Sequence, residues 1–339
     1  MTSLTATLVV LSILGPDGPA PTERFDAPKY GVKASIPKDW PVADRETGDR
    51  VFVALIRQGD GERPGVAACE IGLAPESLDE YRSRIEANAL KRGRPGAILA
   101  KNEVVKRDGG TCLETVWEFR PASGGVWREV SLRKIAHRQL YTFILNVDDA
   151  TYPAARPAFD SLVSTAELSP PNTGADLADP KANRWVQREF KFALDLPAGW
   201  SPVLAPSEVA LLFANAPASG VWSDNLLVIA KPHGPLDLAD LKREYPDQLR
   251  LEEPDCEVVS CEVARKGERD VLETVVRTTR GPFSMTVLEW RFRGKRLDYE
   301  VKFSVESKRF EGLAPALRKS LESFTEVPGV VPGLPRKPA

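Results

Sequence analysis

Histidine is almost missing from this chain: His137 and His233 are the only two in 339 residues. The signatures built around reactive side chains are missing with it. There is no His-Glu-x-x-His, no Gly-x-Ser-x-Gly and no Walker loop, which removes the commonest zincin, hydrolase and nucleotide-binding patterns. The four cysteines, Cys69, Cys112, Cys256 and Cys261, lack zinc-ligand spacing. An excess of one charge is lacking too. The 46 Lys and Arg against 48 Asp and Glu give a net charge of -2, mixed along both halves, with no footprint for a nucleic acid. The apolar run from Leu4 to Leu14, "LTATLVVLSIL", is too short to span a bilayer as a helix. The expectation is a chain without cofactor, metal, nucleic-acid partner or transmembrane segment in its mature form.

What is present describes an ordinary globular protein, 42% hydrophobic and 28% charged. Its length suits about two domains at roughly 150 residues each. The apolar run is followed by "GPDGPAPTE", which resembles the core and small-residue exit of a secretory signal. Residues 1–24 are read as a signal segment and leader, with export to the periplasm or outside the cell. The positive n-region is missing, and the other readings are a short strand or a misplaced start, in a cytoplasmic protein.

The chain repeats itself. Pro37 and Trp40 of "SIPKDWPV" return as Pro197 and Trp200 of "DLPAGWSPV", 160 residues on (197 - 37, 200 - 40). "LETV" at 113–116 recurs at 272–275, Tyr141 meets Tyr299, and "SLVSTAEL" at 161–168 lies over "SLESFTEV" at 320–327. So long a period implies two complete domains. They are expected at 25–168 and 185–328, with a Pro/Gly/Asp linker at 169–184 and a Pro-rich tail at 329–339.

Within the first copy, "YGVKASI", "VFVALIR" and "GVAACEIGL" read as strands. Ser77 and Glu80 form a capping box for a helix to about Leu90, and Asp237 opens the matching helix. Four strands follow, the first two joined at Asp108-Gly109-Gly110, and "YPAARPAFDSLVSTA" closes the copy as a helix. Hairpin links predict antiparallel sheets, and the class is α+β: two tandem copies of a sheet flanked by helices. An opening strand ending in Pro-x-x-Trp, a long antiparallel sheet and a closing helix that runs into a Ser-Leu stretch resemble the PsbP-like family. That resemblance implies an α/β/α sandwich and a role as a non-catalytic binding or assembly factor.

Candidate site residues are those shared by both copies. Glu114 and Glu273 sit mid-strand, with Arg133 and Arg291 on a neighbouring strand. A cross-strand ion pair is the expected explanation, and a polar site for a ligand the alternative. Arg133, Arg138, Arg291 and Arg296 lie in the basic hairpin stretches "RKIAHR" and "RFRGKR", as an edge-protecting tip or a surface for an acidic protein partner. Pro37, Trp40, Pro197 and Trp200 are read as structural. No cysteine position repeats, which favours buried thiols, although an exported chain could join Cys69 to Cys112. The leading function is a two-domain binding or assembly protein. The alternatives are a hydrolase-like enzyme with a site between the copies, drawing on His137, His233 or Glu273, and a small-molecule or lipid carrier with an apolar cavity between sheet and helix.

Overall fold

The computed structural model describes residues 21–328, apart from 59–63, 93–96, 108–109, 121–124, 206–209, 218–222, 235–236 and 281–282. The apolar N-terminal run and the Pro-rich tail lie outside the described residues. So does most of the Asp108-Gly109-Gly110 turn, although the strands that flank it close at Arg107 opposite Gly110.

The first unit starts with β1 (Thr22–Ala27), β2 (Val32–Pro37), β3 (Val42–Thr47), β4 (Arg50–Ile56) and β5 (Gly65–Leu73), then helix α1 (Leu78–Arg92). It continues through β6 (Ala97–Arg107), β7 (Gly110–Phe119), β8 (Trp127–Ala136) and β9 (Gln139–Asp148) to α2 (Tyr152–Thr165) and the short β10 (Glu167–Leu168). The second unit runs β11 (Ala175–Asp179), β12 (Arg184–Gln187), β13 (Phe192–Asp195), β14 (Ser201–Val203), β15 (Leu212–Asn215) and β16 (Asn225–Pro232), then α3 (Leu238–Glu252). It closes with β17 (Glu257–Lys266), β18 (Arg269–Arg280), β19 (Phe283–Arg293), β20 (Leu297–Glu306), α4 (Ser307–Glu322) and β21 (Thr325–Glu326).

Two seven-stranded antiparallel sheets result, in the orders β3-β4-β5-β9-β8-β7-β6 and β14-β15-β16-β20-β19-β18-β17. Each position in one order has its counterpart in the other. Strict alternation builds the faces. Tyr141, Phe143, Leu145 and Val147 of β9 point to one side and are buried; so are Tyr299, Val301, Phe303 and Val305 of β20. On that side α2 contributes Phe159, Leu162 and Val163, and α4 contributes Phe310, Leu317 and Leu321. A small sheet, β1-β2-β10 or β11-β12-β13-β21, completes the layer. The first helix of each unit covers part of the opposite face. The local signals act as read: the Ser77 hydroxyl accepts from the Glu80 amide, and Asp237 accepts from the Ala239 and Asp240 amides.

Trp40 and Trp200 are each 5% exposed and belong to the core of their own unit. In both turns the tryptophan amide donates to the proline carbonyl, at 3.0 Å. The Trp200 indole meets the Phe303 ring edge-on at 5.5 Å.

Two sequence expectations need correcting. Residues 175–179, read as linker, form β11 and pair antiparallel with β12, so the connector supplies an edge strand to the second unit. A Cys69–Cys112 disulfide is excluded by topology. Cys69 lies on β5 and Cys112 on β7, with β9 and β8 between them, which sets them about 14 Å apart at ~4.8 Å per strand. Both thiols are free and buried.

Among the described residues, no helix is long and apolar enough to cross a membrane.

Candidate functional site

Glu114 and Arg133 do not pair. Glu114 stands opposite Leu132 and Arg133 opposite Leu113, so the two side chains leave opposite faces of the sheet. Glu114 points toward α2. It is 3% exposed and accepts from Arg156 Nη2 at 2.6 Å, Arg107 Nη2 at 2.8 Å and Lys101 Nζ at 3.1 Å. Burial alone would raise its pKa; the hydrogen bonds from Arg156 and Arg107 outweigh it and hold the pKa at about 2. Glu273 repeats the arrangement against α4, accepting from Trp290 Nε1 at 2.8 Å and Arg318 Nη2 at 2.9 Å, with Lys266 at 3.9 Å. Arg107 and Lys266 are 159 residues apart, the offset of the two glutamates, so a basic partner on the preceding strand could have been found in the sequence. The helical partners, Arg156 and Arg318, could not, because they do not share that offset.

Arg133 and Arg291 lie mid-strand beneath the first helix of each unit and are not tips. Arg133 donates to Thr115 Oγ1 at 2.9 Å and sits over the Tyr81 ring. Arg291 lies 3.9 Å from the centre of the Tyr245 ring, pairs with Glu300 at 3.2 Å and bonds Glu289. Their planar guanidinium groups serve as packing between sheet and helix, which a surface for a partner would not use.

Arg138 and Arg296 occupy matching tips but act differently. His137 and Arg138 both have positive φ, 49° and 62°, the left-handed pair of a tight hairpin turn. From there Arg138 crosses to the second unit. It donates to Ser201 Oγ at 2.7 Å, Gly199 O at 2.7 Å and Asn215 O at 3.1 Å. The tip at Lys295 and Arg296 lacks that left-handed pair. Arg296 folds back onto its own unit, donating to Lys191 O at 2.8 Å and Val327 O at 2.9 Å.

A cleft of about 620 Å³ lies between the units. Ile71 and Leu73 line it from the first unit, Phe190, Leu211 and Phe213 from the second, with Gln139 and Gln187 among the polar groups. Gln187 is 4% exposed and donates to Leu211 O at 2.7 Å, so it belongs to the wall. Leu204 of the second unit also packs on the core of the first.

Neither histidine enters the cleft. His137 is exposed, with Nε2 3.2 Å from Leu168 O, and His233 Nε2 is 3.9 Å from Asp298 Oδ1, beyond hydrogen-bond reach. The hydrolase alternative required a histidine and carboxylate in contact within a cleft, and these two do not meet that requirement. Nor does the cleft match the carrier alternative, since it lies between units instead of between sheet and helix. Among the described residues, no group of His, Cys, Asp and Glu could hold a metal ion.

No family model matches the chain, and no curated protein does. Solved structures do. The chain is similar to cyanobacterial PsbP from Synechocystis sp. PCC 6803, at 18% identity over 47% of this chain and 99% of that one, with a TM-score of 0.33. It is similar to the Ran-binding protein Mog1p of Saccharomyces cerevisiae, at 9% identity over 42% and 94%, with a TM-score of 0.33. The immunity protein TplEi of Pseudomonas aeruginosa is matched along 91% of this chain and 97% of its own, at 9% identity and a TM-score of 0.29. Superpositions this loose carry no function across.

Proposed function

We propose that the chain is an exported two-domain binding or assembly protein, a tandem pair of PsbP-like domains that takes its ligand or partner in the cleft between them. The cleft carries this reading: apolar side chains from both units face one space of about 620 Å³, rimmed by amides and charges. Ligand sites favour such a mixture at domain junctions. The tandem reading draws support from the matched strand orders and the residue offsets of 158 to 160. Export rests on the apolar run at Leu4–Leu14 and the small, Pro-rich stretch after it.

Cleft-blocking variants test the binding site. Leu73→Arg and Ala205→Trp each change a cleft-lining side chain. Native mass spectrometry of protein isolated from its own cell fraction is expected to find a bound species on the wild type that both variants lose at unchanged melting temperature. Variants that retain everything the wild type retains would refute the cleft as the site. N-terminal sequencing of the same material checks export, with cleavage before residue 25 as the expected result.

A further inference from the structure

The first unit buries a lysine that the second replaces with phenylalanine. Lys134 stands opposite Tyr141 between β8 and β9, and Phe292 stands opposite Tyr299 between β19 and β20. In the second unit the position is part of an aromatic cluster, with Phe292 stacked on Tyr299 at 5.5 Å and edge-on to Phe324 at 5.1 Å. The same place in the same sheet order is thus filled by an apolar ring, so the architecture does not require an ammonium group there.

Lys134 is 6% exposed, and its Nζ donates to Val163 O near the end of α2 at 2.8 Å. An ammonium group has three donors, and a buried one left partly unspent is costly. Burial accordingly lowers the Lys134 pKa. The side chain lines a hollow of about 290 Å³ together with Arg107, Asp160, Val163 and Ser164. Arg107 Nε has no hydrogen-bond partner and is itself closed off from solvent, while the side chain as a whole is 27% exposed. The carboxylates around the hollow are already engaged: Asp160 pairs with Arg107 and Arg156, and Glu114 with Arg107, Arg156 and Lys101. What remains uncommitted is donor capacity on cations.

We propose that this hollow is an anion site, present in the first unit only, that binds a phosphate group through Lys134 and Arg107, with Ser164 at its mouth. Phosphate fits because its several oxygens can accept from donors converging from different sides, and a lysine supplies it with a compact charge. The volume leaves room for part of a molecule that carries the phosphate. The site is independent of the inter-unit cleft.

Calorimetric titration of the full chain with sodium phosphate and with phenyl phosphate tests it, against sodium chloride of equal ionic strength. Wild type is expected to bind phosphate at one site. Lys134→Met and Ser164→Glu should each weaken binding about tenfold or more, the loss of a charged hydrogen bond or the arrival of a repelling carboxylate. Ser164 is outside the core, so its variant decides the matter should Lys134→Met not fold. Equal affinity for the two probes identifies free phosphate as the ligand, and tighter binding of phenyl phosphate identifies an esterified one. No phosphate or phenyl phosphate binding by folded wild type, or unchanged affinity in the variants, would overturn the proposal.

Discussion

Arg138 Nη1 donates to Ser201 Oγ at 2.7 Å, joining residues 63 apart that belong to different units. Gly199 and Asn215 add two carbonyl acceptors on the same guanidinium. Arg138→Ala should therefore loosen the junction at about 1.5 to 3 kcal/mol, the range for hydrogen bonds to a charged group. Differential scanning calorimetry would show the two units melting further apart, with each unit's own core intact. Arg138→Lys should not restore the wild-type profile, because a point charge cannot meet three separated acceptors. A single unchanged transition in Arg138→Ala would mean that the contact contributes nothing.

Acid should expose the Glu114 cluster. The folded pKa of about 2 lies below the ordinary 4.5, so this carboxylate contributes stability above the ordinary value and loses it as pH falls toward 2. At 1.36 kcal/mol per unit the contribution is roughly 3 kcal/mol, most of it due to Arg156 and Arg107. Urea titrations of wild type and Glu114→Gln should differ most near neutral pH and converge at low pH. Parallel curves across that range would assign the shift elsewhere.

Truncating either Pro-x-x-Trp tryptophan should unfold its own unit. Trp40→Ala and Trp200→Ala each remove a nearly buried indole and are expected to cost about 3 to 5 kcal/mol. Unit-resolved hydrogen exchange checks the locality. A loss below about 1 kcal/mol would instead mark the ring as a surface contact.

The thiols should stay reduced and silent. Burial keeps Cys69 and Cys112 protonated by raising both pKa values. In the native protein a thiol reagent should modify neither, and both should react after unfolding without reductant. A non-reducing peptide map that shows a Cys69–Cys112 link would contradict the strand order.

Gly31→Ala should dislodge the connector. Gly31 has φ +68°, and a Cβ there would lie 2.0 Å from Ser169 O. The Gly31 carbonyl accepts from the Ser169 amide at 2.8 Å, so the clash falls on the contact that anchors the chain as it leaves the first unit. Increased protease cleavage near residue 170 is the expected readout.

Much of this architecture is legible because it rests on local chemistry. The alternation in "QLYTFILNV", the caps at Ser77 and Asp237 and the repeated Pro-x-x-Trp each state their role within a few residues. The missed strands β1, β3 and β11 are polar edge segments, such as "ADLAD", whose strand form depends on a neighbour and not on an apolar pattern. The Glu114 site was half legible. Alternation identifies a mid-strand carboxylate, but a register offset of one residue decides whether it meets Arg133 or the α2 arginine, and nothing local sets that register. Arg138 shows the limit more sharply. It aligns with Arg296, yet its partners lie in the other unit, where an internal alignment has no means of pointing.

Both small sheets close with the last residues of their units. Glu167 pairs with Lys33 on β2, and Thr325 pairs with Ala193 on β13. During synthesis each unit must therefore wait for its own final strand before its layer is complete, and the first has all its pairing partners before most of the second exists. The chain should emerge from the ribosome as two successive closures, with Arg138 waiting at the surface of the finished half until Ser201 and Asn215 arrive.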